Sequence, residues 1–167
     1  MEEPIVESSK KVITSLFVIF SCFFLDRISK IYILNFFTQN DFTDQYVNSY
    51  LNLILIWNKG VAFGLLQSED FFYNLVSIII IMVIAFLCFL IYKTDKKTEI
   101  MCYSLVVGGA LGNFTDRIYY QAVPDFIDFH YKDLHWFTFN FADIFITVGI
   151  LLLLISDMLK FKNNEYE

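Results

Sequence analysis

Four long apolar segments constrain this chain more than any other feature of its sequence. A helix needs about 20 residues to cross the hydrocarbon core of a bilayer. Four segments meet that length, at about residues 12–34, 71–92, 100–118 and 138–159. Hydrophobic residues make up 57% of the chain, against roughly 45–50% in soluble domains. The pattern predicts an all-α integral membrane protein with four transmembrane helices, forming a single domain over residues 1–167.

The lysines predict the orientation of these four spans. The loops on one side, about 35–70 and 119–137, contain only Lys59 and Lys132. By the positive-inside rule these larger loops face outward and both termini are cytoplasmic. The lysines that flank the spans on the opposite side are Lys10, Lys11, Lys93, Lys96, Lys97, Lys160 and Lys162.

The first span also has some features of a signal peptide, because Lys10 and Lys11 precede the apolar stretch Val12–Leu25. No A-x-A cleavage site follows, and the stretch leads directly into Asp26 and Arg27. We therefore favour a retained first span over a cleaved signal peptide.

Charge and composition argue against several other classes of protein. A net charge of −6 without a basic patch disfavours a nucleic-acid partner. The three cysteines lie inside apolar runs and are read as small hydrophobic residues. His130 and His135 lack a second cluster of ligands, so we expect no zinc site and no cofactor.

Three acidic residues of the spans fall at one predicted depth. With a rise of about 1.5 Å per residue, Asp26 lies roughly 21 Å above the inner boundary. Asp116 and Asp143 reach roughly 24 Å by the same rise. Three carboxylates from three helices therefore share a layer just inside the outer boundary.

The polar residues around these acids have structural readings as well as functional ones. Asp26 and Lys30 are spaced i,i+4 on one helix face. Taken alone, they are better explained as a self-neutralised pair than as catalytic groups. Gly108–Gly112 has the GxxxG spacing that brings helices close together. It leads into a shared face of polar residues, which is either a preorganised site or a structural hydrogen-bond network: Asn113, Asp116 and Arg117.

Two further acids depend on context. Pro124 restricts the backbone before Asp125, although a loop acid alone is usually solvated surface. Asn140 and Asp143 are one turn apart and could be an N-cap and a first-turn acid. That reading weakens if the helix begins near Thr138, because Asp143 would then lie more than one turn inside the apolar layer.

Five motifs in order resemble those of the lipoprotein signal peptidase family, also called signal peptidase II. They cover most of the chain from about residue 12 to residue 160, and together they are far more specific than any one of them. Two residues depart from the family pattern: Pro124 stands where Val is common, and Val61 where Ala is usual. Neither change removes a reacting group. The motifs are Asp26–Lys30, Asn58–Phe63, Gly108–Arg117, Val123–Asp128 and Phe139–Asp143.

The resemblance implies an aspartic endopeptidase of a bacterial inner membrane, with Asp125 and Asp143 as its catalytic dyad near the outer face. The implied substrate is a prolipoprotein whose cysteine already bears a diacylglyceryl group, cleaved just before that cysteine. It also implies a small periplasmic β-platform, a short periplasmic loop or helix, contact with membrane lipids, and no metal; we expect a monomer. The implied supporting residues are Asp26, Lys30, Asn58, Gly60, Asn113, Asp116, Arg117 and Asn140.

Two other classes of function compete with this interpretation. Intramembrane acids can form a proton relay in a small transporter, but these acids all crowd toward one side of the membrane. A non-catalytic scaffold would have little reason to carry so many costly charges within its spans. The residues alone leave both alternatives open, and the resemblance favours the peptidase.

Overall fold

The computed structural model describes residues 3–59, 70–132 and 134–164, which form four helices and one antiparallel sheet. The first half contains helix α1 (Glu3–Gln39), strands β1 (Gln45–Asn48) and β2 (Leu51–Asn58), and helix α2 (Asp70–Lys93). The second half contains helix α3 (Lys97–Tyr120), strands β3 (Val123–Tyr131) and β4 (Leu134–Phe139), and helix α4 (Phe141–Asn164).

Among the residues that the structure describes, three helical segments are long and apolar enough to cross a bilayer: Ser9–Gln39, Asn74–Lys93 and Phe141–Leu159. Large apolar side chains such as Phe17, Ile78 and Leu154 lie exposed along these helices. Such a surface is unfavourable in water but matches the apolar tails of a bilayer.

Helix α3 lies in the middle of the bundle and packs against α1, α2 and α4. Because its neighbours cover it, α3 can carry small and polar residues without exposing them to lipid. Eleven of its residues are buried, including Ser104, Asn113 and Asp116. The polar residues in the middle of α3 are therefore enclosed by the other helices.

The glycines of α3 allow this close packing, as the GxxxG spacing predicted. A Cβ atom on Gly108 would lie 2.7 Å from Cys22 Cβ of α1. A Cβ atom on Gly109 would lie 2.5 Å from the backbone oxygen of Ala142 in α4. Helix backbones can approach this closely only where no side chain intervenes.

We expect Gly109→Ala to destabilise the protein by about 1–3 kcal/mol, the usual cost of overpacking. Its new methyl group would meet the backbone of α4, which cannot rotate away as a side chain could. Thermal unfolding in detergent micelles would measure the loss. Ala110→Gly is the matched control, because it alters helix propensity by at most about 1 kcal/mol without a clash.

The sheet has the strand order β1-β2-β3-β4, and each neighbouring pair is antiparallel. A small sheet was expected and is present. The segment 119–137, which was predicted to be an outer loop, instead contains β3 and most of β4. Pro124 is compatible with β3 because β4 pairs with β3 only from Ile127 onward. The missing N–H of proline thus leaves no ladder bond unmade on that side.

The sheet rests on the end of α1 through a small apolar cluster. Phe126 of β3 packs with Ile33 and Phe37, and all three side chains are buried. Leu53 and Leu55 of β2 pack against the same cluster. These contacts fix the position of β3, and therefore of Asp125, relative to the helices.

Candidate active site

Asp125 lies on β3 with both carboxylate oxygens held by amide groups. Asn58 Nδ2, at the end of β2, donates to Oδ2 at 2.9 Å. Asn140 Nδ2, immediately before α4, donates to Oδ1 at 2.6 Å. The residue is only 3% exposed. The loop acid suspected from Pro124 is thus an enclosed strand residue with fixed partners.

Asp143 lies in the first turn of α4 and caps that helix together with Asn140. The Asn140 backbone N–H donates to Asp143 Oδ2, and the Asp143 N–H donates to Asn140 Oδ1, both at 3.1 Å. This reciprocal pair is a capping box. Helix α4 begins at Phe141 and not near Thr138, which belongs to β4, so the reading of Asn140 as N-cap and Asp143 as first-turn acid is confirmed.

Capping does not account for every contact of Asp143. Its other oxygen, Oδ1, accepts a hydrogen bond from Asn113 Nδ2 of α3 at 2.8 Å. Asn140 contacts both Asp143 and Asp125. Two carboxylates from separate elements are therefore joined through one asparagine, an arrangement that a helix cap alone does not require.

A buried cluster of charges lies beside these two acids. Lys30 Nζ contacts the Asp26 carboxylate at 2.9 Å and Asp116 Oδ2 at 2.6 Å. Arg27 Nη2 lies 2.6 Å from Asp116 Oδ1 and 3.0 Å from Asp26 Oδ2. Asp26 and Asp116 are fully buried, and Lys30 is 1% exposed. Two cations thus balance two anions within the bundle.

The charge cluster is connected to Asp143 by hydrogen bonds through Asn113. Lys30 Nζ donates to Asn113 Oδ1 at 2.8 Å, and the amide nitrogen of Asn113 then donates to Asp143. Asp26 Oδ1 accepts the backbone N–H of Ala142 at 3.0 Å. Helices α1 and α3 therefore fix the first turn of α4 through side-chain contacts.

The structure brings most of the predicted supporting residues into this network. Arg117 takes a less central position, with Nη1 donating to the Asn113 backbone oxygen at 3.3 Å. Gly60 lies outside the described residues. The sequence reasoning missed Arg27 as a site residue, although a third charge beside Asp26 and Lys30 was a usable signal.

The environment of Asp125 raises its pKa from 3.8 to about 6. Burial is the main cause, because removal from water disfavours the charged form. The negative charge of Asp143 raises the pKa further, while the hydrogen bonds from Asn58 and Asn140 lower it. Asp125 therefore keeps its proton at pH values where an ordinary aspartate has lost it.

We expect stability to fall as the pH rises from about 4 to about 6. In this window the folded chain holds a proton on Asp125 that the unfolded chain has released, so raising the pH favours unfolding. The full stability is present below the unfolded pKa of 3.8 and is lost as the pH passes about 6. The loss is roughly 2–3 kcal/mol, at about 1.36 kcal/mol per pKa unit.

Thermal unfolding between pH 4 and pH 7.5 would measure this loss. Asp125→Asn should flatten the curve across the window, whereas the exposed Asp44→Asn should leave it unchanged. The same slope in wild type and Asp125→Asn would contradict the assignment.

The arrangement is suited to acid–base chemistry on a neutral substrate. Two neighbouring carboxylates of unequal environment can divide the roles of general acid and general base between them. The amides of Asn58, Asn113 and Asn140 hold the carboxylates in place. The ion cluster lies on the α1–α3 side of Asp143, where it supports the geometry.

Comparisons with known proteins point to one family. The sequence model of the family described as Signal peptidase (SPase) II matches residues 18–159. A lipoprotein signal peptidase of Pelagibacter ubique is 43% identical over 157 residues, which cover 93% of each chain. Another, of Anaplasma phagocytophilum, is 38% identical over 151 residues, covering 90% of this chain and 96% of that protein.

Solved structures agree with the sequence comparisons. A structure described as a bacterial membrane enzyme has a TM-score of 0.74 and 27% identity, covering 90% of each chain. A second structure with the same description has a TM-score of 0.72 and 29% identity, covering 86% of this chain and 91% of that one. From its motifs, its relatives and its fold, the chain belongs to the signal peptidase II family.

Proposed function

We propose that the protein is an aspartic endopeptidase that removes signal peptides from prolipoproteins, with Asp125 and Asp143 as its catalytic dyad. The observation that carries the proposal is the joining of these two carboxylates through Asn140. Membership of the family and the names of the relatives give the reaction and the class of substrate.

The reaction needs one proton shared between the two carboxylates. The ionised member takes a proton from a water molecule, and the oxygen of that water attacks the scissile carbonyl. The protonated member donates a hydrogen bond to the carbonyl oxygen and later supplies a proton to the leaving amine. Because the two acids titrate as a pair, the shared proton belongs to the dyad as a unit.

The supporting residues hold the dyad in the geometry this cycle needs. Each oxygen of Asp125 already accepts one amide hydrogen bond, from Asn58 or Asn140. Asp143 is held in the same way by the Asn113 side chain and the Asn140 backbone. Fixed donors reduce the reorganisation required when charge moves between the two acids.

The preferred substrate carries a diacylglyceryl group on the cysteine that follows the scissile bond. A signal-peptide helix lies across the bilayer, so the acyl chains can stay in lipid while the peptide bond reaches the dyad. The exposed rings of Tyr46, Tyr50 and Trp57 on β1, β2 and their turn are suited to the headgroup level. This position lets the sheet contact the substrate where it leaves the membrane.

The proposed topology has four spans, cytoplasmic termini and a sheet on the periplasmic side. Helix α3 supplies the fourth span, since its 24 residues are long enough to cross when its neighbours cover its polar groups. In a variant without native cysteines, Ser49→Cys should react with an impermeant thiol reagent in intact spheroplasts. Lys96→Cys should react only after permeabilisation, and the reverse pattern would contradict this orientation.

A cleavage assay tests the function. The purified chain, reconstituted in liposomes, is given a diacylglyceryl-modified prolipoprotein or the same precursor with its acceptor cysteine replaced by serine. We expect cleavage of the modified precursor alone, with mass spectrometry placing the new amino terminus at the lipidated cysteine. Equal cleavage of both precursors, or cleavage at another bond, would overturn the proposed specificity.

A further inference from the structure

A second cluster of side chains that could bind a metal ion lies near the turn of the β3–β4 hairpin. Asp128, His130 and His135 each place one potential ligand atom within 4.8 Å of the others. His130 pairs directly with His135 across the two strands, and Asp128 precedes His130 by two residues on β3. The sequence alone gave no further ligand near the two histidines. In the folded sheet, the carboxylate of Asp128 lies beside them as a third potential ligand.

His130 is an unusual member of this cluster. Its side chain is buried, with the residue 8% exposed, and its Nδ1 atom has no hydrogen-bond partner among the residues that the structure describes. That atom lies 3.8 Å from Asp128 Oδ2. A buried polar atom without a partner is costly, so its occurrence beside two other potential ligands points to a ligand for the group.

The carboxylate of Asp128 is buried and is fixed in orientation by a neighbouring side chain. It is 2% exposed, and its Oδ2 atom accepts a hydrogen bond from Asn52 Nδ2 of β2 at 3.1 Å. The same oxygen lies 2.8 Å from His135 Nδ1. Hydrogen bonds of this kind orient the ligands in metal sites and are part of how such sites select an ion.

His135 gives the cluster a route to solvent. Its side chain is 53% exposed, in contrast to those of Asp128 and His130. Its ring is stacked on that of His130, with the centroids 5.0 Å apart. An ion can therefore approach from the His135 side and reach the two enclosed groups without the strands separating.

We propose that Asp128, His130 and His135 form a binding site for a divalent transition-metal ion of the zinc class. Two imidazole nitrogens and one carboxylate oxygen are a donor set typical of Zn²⁺, with a fourth position open to water. Ligand atoms around tetrahedral zinc lie roughly 3.3 Å apart, as follows from metal–ligand bonds of about 2.0–2.2 Å. The separations of 2.8 Å and 3.8 Å in this cluster lie on either side of that value.

This site is distinct from the dyad and takes no part in peptide-bond cleavage. Asp125 lies three residues earlier on β3, and its carboxylate is held by Asn58 and Asn140. A bound ion would join β3 to β4 and, through Asn52, would also fix β2. The predicted role is therefore to stabilise the sheet that carries Asp125.

Cobalt binding to the full-length protein tests the proposal directly. The chain contains two histidines, so it should be purified with a tag that lacks histidine. We expect one Co²⁺ per chain, with the visible absorption bands of a tetrahedral site, displaced by stoichiometric Zn²⁺ and not by Mg²⁺. Zn²⁺ should also raise the unfolding temperature by several degrees, because it binds the folded state.

Two ligand variants and two control variants locate the site. His135→Gln and Asp128→Asn should each weaken Co²⁺ binding at least tenfold, and the exposed position of His135 makes its variant the safer one for folding. Two control variants should bind Co²⁺ as the wild type does. One is Asp44→Asn, at an exposed residue immediately before β1, and the other is Asp143→Asn, in the proposed dyad. Absence of a stoichiometric tetrahedral site, or binding lost in Asp143→Asn and kept in His135→Gln, would overturn the proposal.

Discussion

Replacing either Asp125 or Asp143 with asparagine is expected to lower the kcat/KM for prolipoprotein cleavage at least about 1,000-fold. General acid–base catalysis alone typically contributes about 10²–10⁴-fold, and each substitution removes a member of a pair that acts together. Asparagine keeps the size of the side chain, but it cannot take a proton from water or return one. The rate of release of the signal peptide, measured under single-turnover conditions, reports the chemical step.

The controls must separate lost chemistry from lost structure. Asp44→Asn, an exposed acid distant from the dyad in the chain, should cleave at the wild-type rate. Both dyad variants should still bind the lipidated precursor and should unfold cooperatively. If either variant folds, binds and cleaves at the wild-type rate, Asp125 and Asp143 are not the catalytic pair.

Lys30→Met is expected to cost about 3–5 kcal/mol of stability, the usual effect of removing one partner from a buried ion pair. Lys30 contacts both Asp26 and Asp116, which are fully buried. Without it, Arg27 remains as the neighbouring cation for two carboxylates. Methionine has a similar length and apolar stem, so the lost charge dominates the result. Denaturant unfolding in mixed micelles measures the change.

A control and a rescue make the lysine prediction specific. Lys96→Met removes an exposed partner of Glu99 and should change stability by at most about 0.5 kcal/mol. Adding Asp116→Asn to Lys30→Met should recover part of the loss, because it removes one of the uncompensated charges. Equal losses for Lys30→Met and Lys96→Met would show that the buried cluster does not depend on its lysine.

The sequence was informative where a physical pattern is local. The apolar runs indicated where the four helices lie, although α1 extends beyond its run at both ends. The close approach at Gly108 followed from a spacing of four residues. The prediction that Asp26 and Asp116 share a layer also needed only the rise of a helix, and both carboxylates contact Lys30 in the structure. These properties depend on one helix at a time or on the thickness of a bilayer.

The sequence was less informative where partners come from distant parts of the chain. Strand β3 contains Pro124, Asp125 and Asp128, so its composition resembles that of a loop, and only pairing with β2 and β4 makes it a strand. The start of α4 was misplaced because the apolar residues Trp136–Phe139 continue the pattern of the helix while belonging to β4. Arg27 was overlooked because adjacent residues on a helix diverge, yet its long side chain reaches Asp116.

The position of Lys30 one turn after Asp26 also bears on how the protein is made. Helix α1 leaves the ribosome before α3 exists, so the acid of the nascent helix must enter the bilayer without Asp116 or Arg117 nearby. A lysine on the same helix face supplies a counter-charge at that moment. If α3 follows as a fourth span, as proposed above, Lys30 is already in place to pair with Asp116, as it does in the folded structure. Under the proposed four-span topology, the order of the helices along the chain therefore provides both Asp26 and Asp116 with a cation by the time each is inserted.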